Sequence, residues 1–183
     1  MKIDAHEAKS ILEAVLFAAS EPISLKQFAQ LLEGISTREV RSLLSELREE
    51  YNQTNRSFQL VEIANGFQLS TRPEYHPWIE KLYTRQVRVK LTPSALETLA
   101  IVAYKQPVTR AEVEEIRGVN SDSVLNSLIE KRMVRIAGRN PGPGKSLLFA
   151  TTEEFLQQFG LKDLSDLPSL EEIEQILNRS LGE

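Results

Sequence analysis

Cysteine is absent from this 183-residue chain, and histidine occurs only twice. Without cysteine the protein has no disulfide, thiolate nucleophile or cysteine metal site, and this composition suits a reducing compartment. The two histidines, His6 and His76, are far apart in the sequence. Metal sites and Ser–His–Asp triads need several convergent side chains. We therefore predict no catalytic residue and no metal site.

Long hydrophobic runs are also missing. The longest, Ala14–Ala19 and Leu99–Tyr104, have six residues each, far below the ~20 that a membrane-spanning helix needs. The N-terminus mixes charges among its apolar residues and has no small-residue cleavage site, so it does not resemble a signal peptide. We expect a cytoplasmic protein without a membrane segment.

The string GPGKS, at residues 142–146, suggests a phosphate-binding loop. Such a loop needs a glycine five residues before its Gly-Lys pair, a strand before it and a helix after it. Position 139 is Arg139, and both flanks are predicted strands. The string therefore indicates a hairpin turn, and we predict no nucleotide or other cofactor.

Charge is distributed unevenly along the chain, whose net charge is −4. Residues 1–85 carry a net −2, residues 86–150 carry +4 and residues 151–183 carry −6. A negative net charge argues against a dedicated nucleic-acid binder. Adjacent carboxylates such as Glu114 and Glu115 point in different directions around a helix, so they indicate solvated surfaces rather than a catalytic pair.

An internal repeat, with a spacing of about 84 residues, is the most informative pattern. ILEAVLFAASEPISLKQFAQLLEGISTREVRSLLSEL is followed by a degenerate copy, ALETLAIVAYKQPVTRAEVEEIRGVNSDSVLNSLIEK. Leucine, proline and glycine positions match between the copies: Leu12 with Leu96, Pro22 with Pro107, and Gly34 with Gly118. This pattern favours two copies of one small fold.

Helix starts are predicted by residues that cap backbone N–H groups. Thr92 before Pro93 predicts one start, and Ser121 predicts another. Capping-box spacing, with an acidic or amide residue three positions after Ser or Thr, predicts the rest: Ser24–Gln27, Ser36–Glu39, Thr109–Glu112, Thr151–Glu154 and Ser169–Glu172. Each copy thus contains three helices.

A β-hairpin is predicted after the third helix of each copy, where the apolar period changes from 3.6 to 2. FQLVEIA and FQLSTR flank Asn65-Gly66, a preferred two-residue hairpin turn. In the second copy, MVRIAGR and SLLFA flank the turn NPGPGK. A short helix around Pro77–Tyr83 is predicted to connect the halves.

Three helices followed by a β-hairpin is the winged-helix order. We therefore predict a mainly α protein with small β-hairpins (α+β), built from two tandem winged-helix domains. The predicted boundaries are 1–85 for the N-terminal domain, 86–168 for the C-terminal domain and 169–183 for an acidic helix and tail.

Surplus apolar surface on these helices indicates association. The helix over Ala95–Tyr104 is apolar nearly all round, with Glu97 its only charge, so it is buried in its own domain or against a partner. In the first copy, Ala14, Phe17 and Ala18 form a second apolar strip beside the core stripe. We predict that this strip contacts a second copy in a homodimer. Ordinary core packing is the alternative for each residue.

Five cations near the second wing form a candidate strip for weak phosphate contact: Lys131, Arg132, Arg135, Arg139 and Lys145. In the first copy, the arginines of the third helix alternate with glutamates, which repel phosphates. Beyond Asn126, no series of base-reading side chains is apparent in the second copy. We expect DNA binding to be weak and non-specific.

The segment Ala95–Asp122, ALETLAIVAYKQPVTRAEVEEIRGVNSD, closely resembles the signature stretch of the segregation and condensation protein B family. The resemblance extends through EPIS, GFQLSTRPEY and GRNPGPGKSLLFATTEEFLQQFGL, to about residue 173. It implies a cytoplasmic, nucleoid-associated, non-catalytic protein with two winged-helix domains that pairs through the first. It also implies binding to the kleisin segregation and condensation protein A and, through it, to the SMC ATPase of the bacterial condensin.

The all-round apolar helix and the resemblance together place the expected kleisin surface on the second domain. Its candidate contact residues are Tyr104, Lys105, Arg110 and Arg117. The competing interpretation is a DNA-binding winged-helix transcription regulator. A regulator is expected to have a basic third helix and a positive domain charge, and the first copy has neither.

Overall fold

The computed structural model describes residues 3–82, 91–142, 144–169, 171–173 and 175. The chain divides into two compact units, Met1–Gln86 and Val87–Glu183, which we name unit 1 and unit 2. The predicted boundary between residues 85 and 86 lies outside the described residues, and so does most of the predicted tail.

Unit 1 begins with three helices, of which the second and the third start at the predicted capping residues. They are α1 (Ala5–Ala18), α2 (Leu25–Leu31) and α3 (Thr37–Gln53). The Gln27 backbone N–H donates to Ser24 Oγ while the Ser24 backbone N–H donates to Gln27 Oε1, and Ser36 and Glu39 make the same reciprocal pair. Both capping boxes are confirmed, and each satisfies backbone donors that have no partner inside the helix.

The core of unit 1 lies between these helices and a β-hairpin. Its members are almost inaccessible to solvent and include Leu12, Leu16, Phe28, Val40 and Leu44. Tyr51, near the end of α3, is also buried, and its hydroxyl donates to Glu13 Oε1 at 3.0 Å. Burial, followed by this hydrogen bond, raises the pKa of the Tyr51 phenol above its usual value, so the ring stays neutral.

The hairpin of unit 1 turns one residue earlier than predicted. Strands β1 (Phe58–Ile63) and β2 (Gly66–Thr71) pair with Ile63 opposite Gly66, so Ala64 and Asn65 are the two turn residues. Both have positive φ angles, 48° and 58°, as a type I′ turn requires. The predicted turn at Asn65-Gly66 is therefore wrong by one residue.

Gly66 begins β2 because another segment approaches it closely. Ile23 forms an isolated bridge with Phe67, with backbone N–O distances of 2.9 Å in both directions. A Cβ atom at Gly66 would lie 3.0 Å from the Ile23 backbone. The absence of a side chain at Gly66 thus leaves room for this tertiary contact. The sequence pattern showed only a local turn and did not reveal the contact. Helix α4 (His76–Leu82) follows, and Tyr83 of the predicted helix lies outside the described residues.

Unit 2 repeats the arrangement with a three-stranded sheet. Its helices are α5 (Pro93–Lys105), α6 (Arg110–Arg117), α7 (Asp122–Glu130) and α8 (Glu153–Phe159). Its strands are β3 (Val108–Thr109), β4 (Val134–Arg139) and β5 (Leu147–Thr151), in the order β3-β5-β4. Strand β3 was not predicted, because two residues are too few to show alternation.

Two predicted helix caps of unit 2 need correction. Ser121 stands at the N-cap of α7 but makes no capping hydrogen bond with its side chain, because its hydroxyl accepts a hydrogen bond from Arg117. Helix α8 is capped by Thr152, not Thr151, and Thr152 Oγ1 accepts from the Phe155 N–H. Thr151 still belongs to β5, where its N–H and hydroxyl donate to Gln106 Oε1.

The remaining predicted starts of unit 2 are confirmed. Thr92 caps α5 through the Ala95 N–H, and Thr109 and Glu112 form a capping box. The fold class is also confirmed, as two winged-helix units in a mainly helical α+β protein.

Candidate partner-binding surfaces

The described part of the chain has no group of three or more His, Cys, Asp or Glu side chains that could hold a metal ion. His6 is exposed in α1, and His76 begins α4, where its Nε2 lies 3.9 Å from Glu80. The two histidines belong to separate elements and do not converge. Among the described helices, none is long and apolar enough to cross a membrane.

Unit 1 exposes the predicted dimer strip on α1. Ala14, Phe17 and Ala18 lie at i, i+3 and i+4 spacing, so they share one side of the helix. All three are exposed, and Phe17 is 84% exposed. The buried residues of α1, Ala8, Leu12 and Leu16, face the core. An exposed phenylalanine beside two exposed alanines is typical of a surface that contacts another protein.

Helix α5 packs into its unit along one side and forms an open groove with α8 along another. The groove has a volume of about 310 Å³. We name it the α5–α8 groove and define it by its main lining residues: Leu96, Ala100, Tyr104, Phe159, Leu167 and Pro168. The Tyr104 hydroxyl donates to the Pro168 carbonyl at 2.7 Å and fixes the chain at the groove edge.

The four candidate kleisin residues do not form one patch. Tyr104 lines the α5–α8 groove, and Lys105 is exposed beside it in the last turn of α5. Arg110 instead lines a second groove of about 330 Å³, between α6, α7 and the hairpin. There its Nη1 lies 2.7 Å from Asp122 Oδ1, and this carboxylate raises the pKa of the guanidinium.

The side chain of Arg117 is buried in unit 2 and links several of its elements by hydrogen bonds. Its side chain is 5% exposed. Its guanidinium donates to Ser121 Oγ at 2.9 Å, to Ser94 Oγ at 2.8 Å and to Glu97 Oε2 at 3.2 Å. These bonds join α5, α6 and the start of α7, so we assign Arg117 a structural role in place of a direct partner contact.

The predicted basic strip is divided by a β-bulge. The register of β4 shifts between Ile136 and Gly138, so Arg135 pairs with Ala150 while Arg139 pairs with Leu147. Leu147 and Ala150 are three residues apart on β5 and face opposite sides of the sheet. Their partners Arg135 and Arg139 therefore leave the sheet on opposite faces.

The other cations of the predicted strip are similarly dispersed. Arg132 Nη1 lies 3.9 Å from Glu154 Oε1, which partly neutralises it. Lys131 is exposed at the end of α7, and Lys145 is exposed in the hairpin turn, where its carbonyl accepts a hydrogen bond from Arg139. The five cations do not make a continuous phosphate track, because the bulge between Ile136 and Gly138 places Arg135 and Arg139 on opposite faces. The sequence pattern did not show this bulge.

Two winged-helix units, an exposed apolar strip on α1 and an apolar groove beside α5 define a tandem winged-helix interaction protein. The chain matches the family model of the segregation and condensation complex subunit ScpB over residues 10–170. Segregation and condensation protein B of Syntrophotalea carbinolica is 47% identical over 178 residues, covering 97% of this chain and 89% of that protein. The chain belongs to the ScpB family, which confirms the resemblance found in the sequence.

Solved structures of ScpB proteins are also similar to this chain. A crystal structure of ScpB from Mycobacterium tuberculosis is 37% identical, covers 88% of this chain and 99% of that one, and has a TM-score of 0.43. A crystal structure of a dimer of the ScpB N-terminal domain complexed with ScpA peptide is 40% identical, with a TM-score of 0.40. It covers 42% of this chain and 95% of that one.

Proposed function

We propose that this chain is a non-catalytic subunit of the bacterial SMC–kleisin complex and that it binds the kleisin ScpA to promote chromosome condensation and partition. The observation that carries this proposal is membership of the ScpB family, with 47% identity to a segregation and condensation protein B across 97% of the chain. The SMC ATPase is reached through ScpA. The protein works in the cytoplasm and associates there with the nucleoid.

The two units have different roles in this proposal. Unit 1 pairs two copies of the chain through the strip of Ala14, Phe17 and Ala18. Unit 2 binds ScpA through the α5–α8 groove, where Tyr104 and Lys105 lie at one end. An open apolar groove beside a cation suits an amphipathic helix, which inserts apolar anchors and keeps its acidic face outside.

The groove assignment predicts a specific loss of ScpA affinity. Ala100 is exposed and lines the groove, so Ala100→Glu should place a carboxylate where apolar anchors bind. We expect the dissociation constant for the middle region of ScpA to rise at least tenfold, which corresponds to about 1.4 kcal/mol. Isothermal calorimetry with the full chain is the measurement.

The matched control is Ala137→Glu, which makes the same chemical change at an exposed residue of unit 2. Ala137 lies in the bulge of β4 and has no register partner on β5, so the sheet tolerates a longer side chain there. This variant should bind ScpA like the unsubstituted chain. Equal affinity for both variants would reject the α5–α8 groove as the kleisin surface.

DNA binding, which a winged-helix regulator would need, is expected to be weak. Five simultaneous phosphate contacts would give a log–log salt slope of about −4.5, and the divided cations should give a shallower slope. Anisotropy titrations with two unrelated duplexes, at low and at physiological salt, make the measurement. Strong salt-resistant preference for one duplex would contradict this expectation and favour the transcription regulator.

A further inference from the structure

The third helix of unit 1, α3, carries its arginines on one side. In the sequence they alternate with glutamates, but a helix turns by about 100° per residue. Arg38, Arg41 and Arg48 therefore fall within about a quarter of the helix circumference. Arg38 and Arg41 are exposed, and Arg48 is half-buried, one turn after the core residue Leu44. Folding thus makes one basic side out of a mixed sequence.

The glutamates of α3 are occupied elsewhere. Glu39 belongs to the capping box at the start of the helix, where the helix dipole also favours a negative charge. Lys9 of α1 pairs with both Glu46 and Glu50, on the side of α3 that meets α1. Glu49 accepts a hydrogen bond from an amide one turn later. The repulsion of phosphates expected from the alternating sequence is therefore reduced on the arginine side.

The arginine side of α3 lies along the seam with the hairpin. Arg41 Nη2 lies 3.2 Å from Glu62 Oε1 on β1, and the Arg41 Cζ atom lies 5.6 Å from the centroid of the Phe67 ring on β2. Arg72, which follows β2, donates to Asn52 Oδ1 at 2.9 Å, at the end of the same side of α3. We name this row of cations the α3 ridge and define it by four residues: Arg38, Arg41, Arg48 and Arg72.

The α3 ridge has the position and the length of a phosphate-contacting surface. Winged-helix proteins that bind DNA place the third helix and the hairpin against the duplex. From Arg38 to Arg48 the helix rises about 15 Å, which matches about four phosphates of one strand at ~3.4 Å each. Guanidinium groups bind phosphate oxygens in a bidentate manner. An acidic protein segment would need its carboxylates in such a row, whereas every DNA strand carries its phosphates in one.

We propose that the α3 ridge of unit 1 contacts the phosphate backbone of duplex DNA. The phosphate contact then belongs to unit 1 and not to the wing of unit 2, where a bulge divides the cations. The contact is weak and independent of base sequence, because arginines on phosphates carry no sequence information and residues 1–85 have a net charge of −2. It does not rest on ScpA binding, because the α3 ridge shares no residue with the α1 strip or the α5–α8 groove.

The test removes the same charge from each unit of the full chain. Arg38→Gln with Arg48→Gln removes two cations from the α3 ridge, and Arg135→Gln with Arg139→Gln removes two from the wing of unit 2. Anisotropy of a labelled duplex is measured over a series of salt concentrations. Four phosphate contacts give a log–log salt slope of about −3.6, and the ridge variant should change it to about −1.8. The wing variant should keep the slope of the unsubstituted chain.

Arg38→Gln alone protects the test against a folding defect, because Arg38 is exposed. This single variant should reduce the magnitude of the slope by about one, and circular dichroism should show the same fold for every variant. Three results would overturn the proposal: an unchanged slope in both ridge variants, a reduced slope in the wing variant alone, or no duplex binding at low salt.

Poly-L-glutamate is the second probe, because it carries carboxylates in place of phosphates. We expect the duplex to bind more tightly than poly-L-glutamate at the same salt concentration, and the ridge variant to lose most of this difference. Binding of poly-L-glutamate without binding of the duplex would assign the α3 ridge to an acidic protein segment and would also overturn the proposal. None of these readings uses ScpA, so they are separate from a failure of the proposed function.

Discussion

Replacing Phe17 by Glu is expected to convert a dimeric chain into a monomer while unit 1 stays folded. Phe17 is 84% exposed and makes no contribution to the core. A buried phenylalanine contributes about 1.5–3 kcal/mol, and a two-fold interface contains each residue twice. The loss is therefore about 3–6 kcal/mol, or more than 100-fold in the dissociation constant. Sedimentation at micromolar concentration is the measurement, with circular dichroism to monitor the fold.

A matched control exists in the same unit. Trp78 on α4 is 67% exposed, so Trp78→Glu also replaces a large exposed aromatic residue by a carboxylate. This variant should remain dimeric. A monomeric unsubstituted chain at micromolar concentration, or a dimer that survives Phe17→Glu and dissociates with Trp78→Glu, would reject the α1 strip as the interface.

The second large effect is expected on the stability of unit 2. Arg117→Ala removes a buried guanidinium and its hydrogen bonds to Ser94, Glu97 and Ser121. A hydrogen bond to a charged group contributes about 1.5–3 kcal/mol, and the partly exposed Glu97 partner regains water. We therefore expect a loss of about 3 kcal/mol in the free energy of unfolding.

Arg110→Ala is the control, because it also removes an arginine of α6. Arg110 is half-exposed and pairs with Asp122 at the surface, where ion pairs contribute about 0.2–1 kcal/mol. Urea unfolding should be followed by NMR signals of unit 2, since the single tryptophan, Trp78, reports on unit 1. Equal losses for the two variants would contradict the structural role of Arg117.

The helix starts could be predicted from the sequence because capping is local. Ser36 and Glu39 are three residues apart, and the hydrogen bonds that join them form wherever the helix begins. The predicted cap of α8 at Thr151 was wrong because the neighbouring Thr152 has the same hydroxyl group. Thr151 stays in the sheet because it donates hydrogen bonds to Gln106, which is 45 residues away in the sequence.

The exposed apolar strip of α1 was also predictable, because helical periodicity separates the side with Phe17 from the core side with Leu12 and Leu16. Arg117 was not, because its burial depends on Ser94 and Glu97 from another helix. The cations of the wing looked continuous in sequence, but the bulge before Gly138 separates their faces. The α5–α8 groove was not predictable either. It depends on the position of α8 relative to α5, which no local sequence pattern shows.

The most direct test of the proposed function is native mass spectrometry of the full chain mixed with ScpA at micromolar concentration. Family membership and the two apolar surfaces predict a complex that contains both proteins and at least two copies of this chain. Phe17→Glu should reduce the number of copies, and Ala100→Glu should remove ScpA. Masses of the separate, folded proteins alone would contradict the assignment of this chain as a kleisin-binding subunit.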